Sequence, residues 1–173
     1  MDKLTALSLS IGSLAGIATF LALGPASGVF FIWAATIAWA AYFLLGANKE
    51  ALQNTIVCGV FGIFMAWLTA VLITEIVPEA APGFNIMASI TVAVVVVVLC
   101  LAARIPQLSV IPLSVLGYSS TFAYLLQTPD MLTQDVLLGA SLLNPLAVIS
   151  ISFVVGAYLG QCSAQLAEKW TKA

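Results

Sequence analysis

The sequence has no histidine, only five lysines and arginines, and only seven acidic residues in 173 positions. Each shortage excludes something. Without histidine, the commonest metal ligand and the usual near-neutral proton carrier are missing. A net charge of −2 with no basic cluster offers nothing to a phosphate backbone, so nucleic acid is not expected as a partner. Charged residues are 7% of the chain, against roughly 25% in an average soluble domain. A surface that poor in charge cannot be solvated, and no stretch of ordinary composition remains to form a catalytic domain. Cys58, Cys100 and Cys162 lie in three separate apolar runs without CxxC spacing. They suggest neither a disulfide framework nor a zinc site, and read as small packing residues. No cofactor or metal is expected.

What is abundant is apolar side chain, at 62%. The expected fold class is all-α: a single polytopic membrane domain over residues 1–173. Runs of about 20 apolar residues cross a bilayer as helices. Punctuating the chain at its charges, Pro and Gly gives six transmembrane helices, at roughly 4–23, 28–46, 54–74, 86–103, 107–126 and 143–166. The first apolar run is near 18 residues, longer than a secretory h-region, so it is expected to stay as an uncleaved span. TVAVVVVVLC (91–100) would be a buried strand in water; in lipid it must be helical, and its uniformity predicts much lipid exposure. The segment 128–142 is a loop or a short re-entrant helix.

Charge placement agrees with six. Lys3, Lys49, Arg104, Lys169 and Lys172 then all fall on one side, and the opposite loops carry Glu75, Glu79, Asp130 and Asp135. The positive-inside rule makes both termini cytoplasmic in a bacterial inner membrane.

AAYFLLGANKEAL (40–52) and FAYLLQTPDML (122–132) end the second and fifth spans in the same way. This makes Tyr42 and Tyr124 a pair, each followed by an asparagine, Asn54 or Asn144, that opens the next span. Three helices per copy would invert the copies in the membrane, an arrangement transporters use.

No Asp, Glu, Lys or Arg falls at mid-membrane depth in this division, which counts against ion-coupled transport and against a charged substrate. Small and hydroxyl residues recur at helical spacing instead: Thr5, Ser8, Gly12, Gly16 and Thr19; Thr55, Gly59, Gly62 and Ala66; Ser152, Gly156, Gly160 and Ser163. The glycines allow close helix approach, either as packing seams within the chain or as a homo-oligomer interface. The fifth span is the most polar. Ser114, Tyr118 and Thr121 share one face, and Ser120, Tyr124 and Gln127 the adjoining one. Pro112 is expected to free a carbonyl near Leu108 and kink the first turn. Asn144-Pro145 reads as an N-cap followed by proline at the first helical position. With Trp39 and Tyr42, the residues Ser114, Tyr118, Thr121, Tyr124 and Gln127 are the candidate lining of a solute path.

Trp33, then Tyr42-Phe43, a Gly-containing turn, Leu52 and a Gly-rich third helix ending near Trp67 resemble the YcdZ-like family of small bacterial inner-membrane proteins, a domain-of-unknown-function family. The likeness is clearest over 28–70; Gly156 and Gly160 are compatible with it. It implies the fold and the inner membrane, and brings no activity or catalytic residue with it.

Three functions compete. The first is a channel or facilitator for a small neutral polar solute of the urea, short-amide, water or gas class, selecting by diameter and neutral donors and acceptors. The second is a secondary transporter of an uncharged metabolite. The third is a non-transporting membrane subunit or assembly factor. An enzyme is not expected, because any Ser, Cys or Tyr nucleophile would lack its usual base or metal. The lipid bilayer is the one partner common to all three.

Overall fold

The computed structural model describes residues 1–76 and 83–172; Glu79, assigned above to a loop, lies outside the described residues. Seven helices are described: α1 (Lys3–Leu23), α2 (Ile32–Leu44), α3 (Lys49–Ile76), α4 (Phe84–Leu101), α5 (Ile111–Gln127), α6 (Gln134–Leu138) and α7 (Pro145–Lys172), with two 3-10 turns between α4 and α5. There is no strand among the described residues. Four stretches are long and apolar enough to cross a membrane: Lys3–Leu23, Lys49–Glu75, Phe84–Arg104 and Pro145–Thr171. α2 has 13 residues and α5 has 17. At 1.5 Å per residue, α2 rises about 20 Å, less than the roughly 30 Å of a hydrocarbon core.

The boundaries differ from the sequence expectation for local reasons. The second helix begins at Ile32 rather than near 28. Gly28 turns the chain at φ +84, and the Phe31 N–H goes to Ser152 Oγ at 2.8 Å instead of to a helix carbonyl. The third begins at Lys49. Its cap is Asn48, whose Oδ1 accepts the Ala51 N–H at 2.8 Å, and Asn54 lies well inside the helix. Pro112 sits in the first turn of α5, where its missing N–H has no helical partner to lose. The chain is already broken upstream by the 3-10 turns Ala102–Arg104 and Pro106–Leu108, so Pro112 opens a helix and kinks none. Within 128–142, Gln134–Leu138 forms a short helix with Leu137 fully buried.

The core is shared by α2, α3, α5 and α7, where Ala34, Ala38, Ile63, Tyr124, Ile149 and Phe153 form one buried cluster. α1 lies against α7, and α4 against α3. α4 buries only Val95 and Leu99, leaving Ile90, Val94, Val97 and Val98 outward. Phe20, Leu23, Trp33 and Leu44 are likewise exposed. Apolar surface of this extent, at about 25 cal/mol per Å², suits a hydrocarbon solvent and not water.

Candidate functional site

Two seams bring the helices of the core together. In the first, α3 and α5 run side by side in the same direction. Gly62 lies directly on the Ser114 backbone and Gly117 on the Gly59 backbone, with no room for a Cβ at either. The Tyr118 hydroxyl donates to Thr69 Oγ1 at 3.2 Å, and Thr69 donates in turn to the Met65 carbonyl at 2.8 Å. In the second seam, α2 and α7 are parallel: Phe31 meets Ser152, Gly156 lies on the Ala35 backbone, and Gly160 lies against the Tyr42 and Trp39 rings. Here the Trp39 indole N–H donates to Ser163 Oγ at 3.0 Å, and Ser163 donates to the Gly160 carbonyl at 2.8 Å. Ser10 of α1 joins the same layer, donating to the Ser163 carbonyl at 2.9 Å. Each seam therefore pairs a glycine contact with one aromatic donor and one hydroxyl that both accepts and donates.

The two tyrosines at the ends of α2 and α5 close matching turns. Tyr42 donates to the Ala47 carbonyl at 2.7 Å, and the next residue, Asn48, caps α3. Tyr124 donates to the Leu143 carbonyl at 3.2 Å, and the next residue, Asn144, caps α7 through the Leu146 N–H at 2.9 Å. The Asn144 amide also donates to the Leu137 and Gly139 carbonyls. Trp67 adds a second bond to the Leu137 carbonyl at 2.8 Å, pinning α6 to the end of the bundle.

The candidate lining residues are divided between the seams rather than gathered on one. Ser114 and Tyr118 contact α3, Trp39 contacts α7, and Thr121 is buried with its hydroxyl on the Gly117 carbonyl. Tyr124 packs edge-on against Phe31, while Gln127 is exposed at the end of α5. Of the glycines, Gly59, Gly62, Gly156 and Gly160 lie in tight contacts inside the chain. Gly12 and Gly16 have nothing within 4 Å of a Cβ position, because α1 docks through Ala6, Ser10, Ala18 and Ala22. The residues that complete the layers, Ser10, Ser163 and Asn48, were not among the sequence candidates. Ser163 stood in a small-residue stripe, but nothing in the pattern named Trp39 as its donor. The buried Thr55 Oγ1 and the Ser150 Oγ have no hydrogen-bond partner. The three cysteines are free thiols, and no group of three or more metal-ligating side chains occurs among the described residues.

A cleft lies at each end of the α1–α2–α7 side. One, of about 500 Å³, is lined by Lys3, Leu7, Phe43, Ala47, Ala164 and Glu168. The other, of about 260 Å³, is lined by Phe30, Phe31, Trp33, Tyr124, Thr128 and Met131. Between them Ser10, Trp39 and Ser163 are almost wholly buried, so the middle is closed. Lys3 and Glu168 stand at the first end; Glu75 is bonded to Gln134 at 2.9 Å. Asp2 caps α1, where the Thr5 hydroxyl and N–H hold its carboxyl below the usual carboxylate value.

A family model described as a protein of unknown function, DUF1097, matches residues 8–168. No curated protein and no solved structure matches the chain. The match carries the expectation of an uncharacterised family well beyond residues 28–70, though not the YcdZ-like designation. The chain belongs to the DUF1097 family of proteins of unknown function.

Proposed function

We propose that the chain crosses the bacterial inner membrane six times as two inverted three-helix repeats, with both termini cytoplasmic, and carries a small uncharged polar solute by alternating access. The repeats are α1–α2–α3 and α4–α5–α7. The observation that carries the reading is the twin turn, Tyr42 on Ala47 before the Asn48 cap and Tyr124 on Leu143 before the Asn144 cap. The packing agrees with it: α3 lies on α5 as α7 lies on α2, α4 lies on α3 as α1 lies on α7, and α3 and α7 each have 28 residues. Short α2 and α5, preceded by non-helical chain, suit the interrupted helices found at transporter binding sites.

The closed layer at Trp39, Ser163 and Ser10, with a cleft at either end, favours a carrier over an open channel of the urea, water or gas class. Neutral hydroxyls and an indole N–H suit an uncharged solute, and no enzyme activity is proposed. Purified protein in liposomes, preloaded with unlabelled urea, short amides or polyols, should show saturable counterflow of one labelled class. Flux linear in concentration would instead identify a channel, and no flux above empty vesicles for any solute would refute transport. The outward Gly12 and Gly16 favour a second reading, a membrane subunit or homo-oligomer using α1 as contact. A stoichiometric co-purifying partner in the absence of flux would establish it.

A further inference from the structure

We propose that the smaller cleft is a binding site for a substituted ammonium group, held by aromatic faces. Its walls are Phe30, Phe31, Trp33 and Tyr124. The Phe31 and Tyr124 rings pack edge to face, 5.4 Å apart between centroids and at 69° to one another, and both border the cleft. The volume of about 260 Å³ admits a nitrogen bearing three or four small alkyl groups. Ring faces carry negative quadrupole potential, and alkylammonium recognition by aromatic cages rests on that attraction.

The remaining chemistry points to the same class. The Tyr124 hydroxyl lies within hydrogen-bond distance of both the Leu143 carbonyl, at 3.2 Å, and the Met131 sulfur, at 3.3 Å, so its one proton is engaged. Met131 contributes its sulfur side chain to the lining. None of the lining side chains is basic, and Asp130 is next to Met131 in the chain. An anion would find no positive charge there, only the Trp33 indole N–H and the Thr128 hydroxyl; a cation finds the ring faces. Anchoring in the headgroup region accounts for the exposure of Trp33, which is 65%. Tyr124, which closes the turn at Leu143, is 6% exposed and borders the same hollow. The ammonium can belong to a free small amine or to a lipid headgroup, and both present the same group to the cleft. This site does not depend on the transport reading and stands whether or not the chain moves a solute.

The test is equilibrium binding to the full chain in a neutral maltoside detergent, with choline, tetramethylammonium and dimethylbutanol, the uncharged isostere of choline. Choline and tetramethylammonium should bind saturably, and the isostere about tenfold more weakly or worse. Trp33→Leu keeps apolar bulk without the indole face and should weaken choline binding about fivefold. Tyr124→Phe keeps the ring and should stay within about twofold of the parent. Equal affinity for choline and its isostere would make the cleft a plain apolar hollow and overturn the proposal. So would absence of saturable binding, or a Trp33→Leu protein that keeps its helical circular dichroism and binds choline unchanged. Nanodiscs separate the sources: if choline competes only in discs lacking phosphatidylcholine, the headgroup is the occupant; if it binds equally in both, the free amine is.

Discussion

Tyr42 and Tyr124 stand in one relation to the helix that follows each of them. Each donates its hydroxyl to the carbonyl immediately before the capping asparagine, at 2.7 Å to Ala47 and 3.2 Å to Leu143. The first closes the turn beside the Lys3 cleft and the second the turn beside the aromatic cleft. A shared sequence motif at the end of a span has become a shared tertiary bond at opposite ends of the bundle.

Removing either hydroxyl leaves one carbonyl without its donor and the ring in place. Tyr42→Phe and Tyr124→Phe should each lower stability by about 0.5–1.5 kcal/mol. The two sites share no partner, so the double variant should be additive within about 0.5 kcal/mol. Unfolding in mixed micelles, followed by circular dichroism, measures this. Strong coupling between the two would show that the turns are not independent closures.

The glycines divide sharply by environment. Gly62→Ala, Gly117→Ala and Gly156→Ala each drive a methyl into facing backbone, which cannot rotate away, and should cost about 1–3 kcal/mol. Gly12→Ala and Gly16→Ala meet nothing; a gain of up to about 1 kcal/mol in helix propensity is expected. If the α1 face joins copies or partners, the latter pair should change the assembly size on a sizing column while leaving monomer stability intact.

How much of this was readable from residue order follows from the kind of signal each feature leaves. Length of apolar run is a strong signal: four of the expected spans overlap helices long enough to cross a membrane, whereas 28–46 and 107–126 overlap α2 and α5, of 13 and 17 residues. Which side of a glycine stripe meets another helix leaves no trace in the stripe itself. Gly12–Gly16 and Gly156–Gly160 have the same spacing, yet one faces away from the bundle and the other meets α2. The turn at Tyr42 needs five residues to reach its acceptor and the turn at Tyr124 needs 19. The inserted stretch holding α6 hides the equivalence, which led to Asn54 instead of Asn48 as the partner of Asn144. The candidate residues do not gather on one seam because Ser114 and Tyr118 meet α3 where Gly62 and Gly117 let the two backbones touch, while Tyr124 turns to Phe31. The pattern in α5 does not name the neighbour of each face.

The two caps should not be equally costly to lose. Asn48→Ala removes one bond to the Ala51 N–H, worth about 1 kcal/mol. Asn144→Ala removes the Leu146 bond and both amide bonds to the Leu137 and Gly139 carbonyls, so it should cost clearly more and loosen α6. Hydrogen exchange should rise over 134–146 in Asn144→Ala and stay unchanged there in Asn48→Ala.

The cap of α1 gives a pH dependence outside the membrane-spanning part. The folded Asp2 carboxyl lies below its ordinary value of 3.8 because Thr5 bonds the charged form. A depressed carboxyl stabilises above the ordinary value and loses that effect as pH falls through the lower folded value. Acidification should therefore fray the first turn of α1, and Asp2→Ala should be frayed already at neutral pH and respond no further. Chemical shifts of the Thr5 amide report it.

The layer at Trp39 and Ser163 separates a lost bond from an abandoned donor. Trp39→Phe keeps ring bulk and removes the N–H; Ser163 still donates to Gly160, so no buried group is stranded, and the cost should stay near 0.6 kcal/mol. Ser163→Ala leaves the indole N–H of a residue only 5% exposed without its acceptor, and the cost should rise to about 1–3 kcal/mol. In the double variant the stranded donor is gone, so its stability should exceed that of Ser163→Ala alone. That ordering, read from unfolding midpoints, requires a favourable coupling which simple packing loss cannot produce. If the layer is also the barrier between the clefts, counterflow should survive Trp39→Phe, whereas Trp39→Ala in any folded fraction should leak solute without saturation. An additive cycle would remove the hydrogen bond from the account of this layer, and a tight, saturable Trp39→Ala would remove the barrier.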